Sequence, residues 1–76
     1  MKKVRTQKLI QKSSEMRIPQ RAHGALDAYA KAFENKNDDE FSELLVDFCN
    51  EGLMRFGVSR ALREEMISYL DSITVE

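Results

Sequence analysis

One proline, Pro19, divides this chain into two unlike parts. Proline is accepted in the first turn of a helix, where its missing N–H costs nothing, and is excluded from helix interiors. Whatever residues 1–18 form therefore stops at Pro19, and a helical pattern starts there.

On the C-terminal side Ala22, Leu26, Tyr29 and Phe33 follow one another at spacings of four, three and four, the apolar stripe of an amphipathic helix. Gly24 weakens that helix by up to ~1 kcal/mol relative to alanine. Glu34-Asn35-Lys36-Asn37 closes it with turn-forming residues. Asn37, with Glu40 three residues on, reads as a capping box for a second helix. That helix carries Phe41, Leu44, Leu45, Phe48, Cys49, Leu53 and Phe56, a stripe broad enough to pack against more than one neighbour. Gly52 lies within it and permits a close crossing, and Gly57 supplies the C-terminal stop. Ser59 caps a third helix running to about Ile73, with Leu62, Met66, Tyr69, Leu70 and Ile73 on its apolar face.

The N-terminal side is harder to place. Residues 1–12 contain only Val4, Leu9 and Ile10 as branched apolar residues, which predicts a basic arm. From Ser13 to Ile18 the side chains alternate, as in a strand: Ser13, Glu15 and Arg17 on one face, Ser14, Met16 and Ile18 on the other. Leu9, Ser13 and Met16 also fall at helical spacing, so periodicity leaves this segment open.

At 76 residues the chain is one small domain, marginal without a staple or a partner. The single Cys49 forms no intrachain disulfide, and Cys and His are too few for a structural zinc site. Oligomerisation is the expected remedy. No apolar run is long enough to span a bilayer and none follows the basic N-terminus as a signal peptide requires, so a cytoplasmic protein without a membrane partner is expected. The net charge of −1 hides a segregation. Residues 1–22 carry seven basic side chains against Glu15 alone (+6), whereas residues 23–76 hold five against twelve acids (−7). Such asymmetry fits a basic arm for a polyanion on an acidic body, or a solvated tail.

Little in the chain suggests catalysis. His23 and Asp27 stand one helical turn apart, but a nucleophile would have to meet them, and Ser13 and Ser14 are not obviously placed to do so. Cys49, among Leu45, Phe48 and Leu53, reads as a buried structural thiol. Asp38, Asp39 and Glu40 suit a helix N-terminus better than a cation site. No phosphate-binding loop, dinucleotide fingerprint or calcium loop is present. The expectation is a protein that is not an enzyme and needs no cofactor or metal.

The segment Met16-Arg17-Ile18-Pro19, an amphipathic Ala22–Phe33 segment and Phe41-Ser42-Glu43-Leu44-Leu45 occur in an order that resembles the ribbon-helix-helix repressors of the Arc and Mnt type. The resemblance covers roughly residues 13–53. It implies a mainly α fold in which a short N-terminal strand pairs across a dimer, followed by two core helices. The C-terminal helix is similar to the one through which Mnt-type members assemble further. The implied organisation is a basic arm (1–12), a ribbon-helix-helix domain (13–57) and an oligomerisation helix (58–76). On this resemblance Ser13, Glu15 and Arg17 would contact bases in the major groove, and Lys2, Lys3, Arg5, Lys8 and Lys12 would contact phosphates. Met16, Ile18, Leu44, Leu45, Phe48, Leu62, Met66, Tyr69 and Ile73 would form the oligomer interface. Glu15 departs from the pattern, because a carboxylate there must approach a polyanion.

The sequence thus predicts a homodimer or homotetramer that binds double-stranded DNA and represses transcription. One rival is an all-helical protein-interaction module, an adaptor or phage-type inhibitor, with residues 5–17 as an additional helix. Another is a plasmid or conjugation accessory protein that shares the DNA-binding fold. A small RNA-binding helical dimer is a further alternative, though it lacks an exposed aromatic platform.

Overall fold

Pro19 separates two helices rather than a strand from a helix. In the computed structural model, which describes residues 2–74 (for residues 2 and 3 the backbone only), α1 spans Lys2–Glu15 and α2 spans Gln20–Ala32. Pro19 sits just before α2 with φ −57° and ψ 144°, and its carbonyl accepts the His23 N–H at 3.0 Å, opening the helix. Then come α3 (Asp38–Asp47), a π-helical turn (Phe48–Gly52), the short α4 (Leu53–Arg55), continuous with them in one rod, and α5 (Arg60–Thr74).

The expected ribbon-helix-helix architecture is therefore corrected to an all-helical one. No strand occurs among the described residues, and residues 13–15 are the last turn of α1. The reason lies in what α1 buries. Its inward line is Arg5, Leu9 and Ser13, each four residues apart, with Thr6 beside them, and all four are at most 4 % exposed. One leucine among three polar residues gives almost no hydropathy signal. Each of the two deepest polar contacts is instead specific. The Arg5 guanidinium pairs with Asp38 and donates to the carbonyls of Glu34 (3.2 Å) and Lys36, while lying 4.0 Å from the Phe41 ring centroid. Ser13 Oγ lies 2.8 Å from Ile10 O and 2.6 Å from His23 Nδ1. The segment expected as an arm is thus held at both ends, to the α2–α3 loop and to α2.

The other elements follow their local chemistry closely. Asn37 caps α3, its side chain accepting the Glu40 N–H at 2.8 Å and donating to Glu40 Oε1 at 3.2 Å, the reciprocal arrangement of a capping box. After α4 the chain reverses at Gly57, whose φ of +83° is strained for any residue with a side chain. The Val58 N–H reaches Leu53 O (3.1 Å) and the Gly57 N–H reaches Met54 O (3.0 Å), the paired bonds of a Schellman ending. Val58 and Leu53 are both buried there, completing it with an apolar contact. Ser59 Oγ then accepts the Leu62 N–H at 3.3 Å and starts α5.

The core consists of Leu9, Ala22, Leu26, Ala30, Phe41, Leu45, Cys49, Leu53, Val58, Met66 and Leu70. Helix α1 lies against α2 and α5, and α3 lies against α5. Lys12 joins α1 to α5 through Glu65 (3.1 Å) and sits 5.4 Å from the Tyr69 ring centroid. Cys49 is enclosed, and burial pushes its thiol up to about 12.

Candidate functional site

The residues singled out for DNA do not share a face. Ser13 is 1 % exposed, Glu15 ends α1 in solvent, and Arg17 is exposed in the connection to α2. The strand that was to align them is absent among the described residues. Among the expected phosphate contacts, Arg5 is buried and Lys12 is ion-paired, whereas Lys8 is exposed and without an acidic partner among the described residues. The side chains of Lys2 and Lys3 lie outside what is described. Of the expected interface residues, Leu45 and Met66 are fully buried within the single chain, and Met16, Ile18, Leu44, Phe48, Leu62, Tyr69 and Ile73 are half-buried.

Ser13 and His23 do meet, but as a tie between helices. Serine has one proton to give, and the Ile10 carbonyl lies in its path, so Oγ accepts from Nδ1–H of the imidazole. A nucleophilic serine must present Oγ to a substrate, and this one is enclosed. Asp27 faces Lys31 (3.3 Å), a charge contact without hydrogen-bond geometry, and is not bonded to His23. Asp38 is taken by Arg5, and among the described residues no cluster of three or more His, Cys, Asp and Glu could hold a metal ion. No described helix is long and apolar enough to cross a membrane.

What the fold does build is a groove on the α2–α3 side. Tyr29 of α2 stacks on Phe48 of the π turn, with centroids 4.5 Å apart and planes at 23°, and meets Phe33 edge-on at 4.9 Å. The Phe48 ring lies across Gly52; a Cβ there would fall 2.6 Å from two ring carbons. Glycine is thus required for this ring position, and the π turn carries both residues. The resulting cleft, about 430 Å³, is bounded by Tyr29, Phe48, Gly52 and Phe56, with Asp47, Glu51 and Arg55 on its outer wall. A second depression of about 270 Å³, bounded by Glu40, Glu43, Leu44 and Asp47, extends it toward the start of α3 and shares Asp47 with it. Tyr29, Phe33, Leu44, Phe48 and Phe56 all pack on the core while keeping part of their surface open.

The wall is electrically one-sided. Asp39, Glu43, Asp47 and Glu51 recur every four residues on the exposed side of the rod, and none has an ion-pair partner among the described residues. Like charges at this spacing repel by roughly 0.2–0.5 kcal/mol per pair, so the row costs on the order of 1 kcal/mol. The cations Arg55 and Arg21 gather at the Phe56 end, the Arg21 guanidinium lying 5.9 Å from the Phe56 ring centroid.

The sequence placed Tyr29, Phe33, Phe48 and Phe56 on apolar helix stripes, with Phe48 also expected at an oligomer interface. The signal for a groove was present in the four-residue row of acids beside the row Leu44, Phe48, Gly52 and Phe56, two parallel stripes of opposite character. Comparison with known protein families, with curated proteins and with solved structures finds no match for this chain.

Proposed function

We propose that this chain is a small all-helical protein-interaction module that works by docking a partner segment in the α2–α3 groove. The observation that carries this reading is the half-buried aromatic floor of Tyr29, Phe48 and Phe56, held open by Gly52 at a π turn. Departures from α geometry of this kind recur at functional sites. Aromatic side chains that keep part of their surface in water at a concave place, rimmed by charge, are the composition of a binding hot spot. An amphipathic helix laid into an apolar groove is a recurring mode of recognition for such a surface.

Duplex DNA is the competing partner. Its support is now the exposed cations Lys8, Arg17 and Arg21, which lie on three different elements of the surface. The test is selection of helical peptides from a displayed library against the purified full chain, followed by amide chemical-shift mapping. Enriched amphipathic sequences should perturb residues 44–56 and the Tyr29 region, and Phe56→Ala should weaken them at least about tenfold while the circular dichroism spectrum is kept. Failure to enrich such sequences, or perturbations confined to α1 on adding duplex DNA, would overturn the proposal.

A further inference from the structure

Resting on that groove reading, we infer that the segment docked there is a basic amphipathic helix of another protein, its apolar stripe on Tyr29, Phe48 and Phe56 and its Lys or Arg side chains over Glu43, Asp47 and Glu51. The groove's two depressions present four carboxylates, Glu40, Glu43, Asp47 and Glu51, against one guanidinium, Arg55. Among the described residues, only Glu40 of those four carboxylates has a cation within ion-pair distance, the Lys36 ammonium at 3.9 Å. A partner without cations would bury the edge of this row unpaired, which is unfavourable, while a basic one removes the repulsion already present along α3. The row from Glu43 to Glu51 spans nine residues, about 12 Å of helix, or two to three turns of a partner.

A second copy of the chain does not meet these requirements. Its basic element, α1, turns Leu9 inward and commits Arg5 and Lys12 to internal contacts, leaving Val4 as its one exposed large apolar side chain among those described. It therefore offers charge without a stripe. The matching segment belongs to a different chain.

The experiment uses the full chain and three fluorescent helix-forming peptides of roughly 14 residues, long enough to cover the acidic row. One has leucine at helical spacing with lysine elsewhere, one has the same leucines with glutamate, and one has the lysine composition with the leucines scrambled. Binding is read by anisotropy at two salt concentrations. The lysine-stripe peptide is expected to bind at least about tenfold more tightly than either other peptide, and to weaken as salt rises. The double variant Asp47→Lys, Glu51→Lys should reverse the preference between the lysine and glutamate stripes. Equal binding of the two striped peptides, abolished by Phe56→Ala, overturns the charge assignment and leaves the groove standing. No binding of any peptide, or equal binding of the scrambled one, overturns the groove reading and this inference with it.

Discussion

Replacing Arg5 by alanine tests the feature that most separates this fold from one with a loose basic arm. The guanidinium is 4 % exposed. It donates to two carbonyls of the α2–α3 loop, pairs with Asp38 and covers the Phe41 ring. Removing one partner of a buried pair costs about 3–5 kcal/mol when the other charge stays buried. Here the Asp38 side chain is 45 % exposed and can regain water, as can the loop carbonyls, so that figure must be reduced. The lost contact with Phe41, worth ~1 kcal/mol, and the gap left beside it add to what remains. The expected destabilisation is ~2–4 kcal/mol, a large share of the roughly 4–11 kcal/mol available to a chain of this length. In urea titrations followed by circular dichroism, a slope near ~1 kcal/mol per molar places the midpoint about 2–4 M lower. Arg5→Lys should recover only part, because an ammonium cannot fork between Asp38 and the loop. Lys12→Ala, whose pair with Glu65 is open to water, should cost less than about 1 kcal/mol. A loss below ~0.5 kcal/mol for Arg5→Ala is what an unattached arm gives, and would refute the account of α1.

Four further perturbations probe other positions. Gly52→Ala should destabilise by ~1–3 kcal/mol, since the new methyl would displace Phe48 from Tyr29, whereas Gly24→Ala, with nothing within 4 Å of the added carbon, should stabilise by up to ~1 kcal/mol; thermal melts of the pair check both signs. Ser13→Ala should cost ~1 kcal/mol and release His23 from its Nδ1–H tautomer, visible in the imidazole nitrogen resonances. Because burial raises the Cys49 thiol from 9.0 in a free chain to about 12, the unfolded state loses that proton first: the stabilisation is complete below pH 9 and is lost as pH rises toward 12. Stability should fall by roughly 1 kcal/mol more between pH 9 and 10 than in Cys49→Ala, and an identical slope in the two proteins would contradict the burial.

The capping chemistry was readable residue by residue. Asn37 with Glu40, Gly57 with its positive φ, and Ser59 before α5 were each placed by side-chain chemistry, and the structure uses each as its chemistry requires. These signals are local, so no knowledge of distant partners is needed. The inner face of α1 was not readable, because its burial depends on residues far along the chain. Arg5 becomes a core residue only through Asp38, Glu34 and Lys36, and Ser13 only through His23. A hydropathy pattern sees such side chains as surface, and the alternation from Ser13 to Ile18 then looked like a strand. The groove was half visible. Its aromatic residues were found, but their stripe continues past the last regular turn of α3, and only the backbone shows that Phe48 and Gly52 share a π turn.

That turn also sets the phase of the rod. Four residues overshoot one α-helical turn by about 40°, so a strict four-residue repeat drifts round an ordinary helix by roughly a third of a circle in three steps. Phe41, Leu45, Cys49 and Leu53 keep such a repeat and are all at most 1 % exposed. The wider turn at Phe48–Gly52 takes up the drift, holding that line on the core, Phe48 and Phe56 on the groove, and the acids in one file. The extra residue acts as a phase shifter. Making the turn regular without removing a residue would rotate everything from Leu53 to Val58 by about 100°, taking Leu53 off the core and Phe56 off the groove in a single step. Excising one exposed position within it, such as Glu51, would instead restore regular geometry with both still in place.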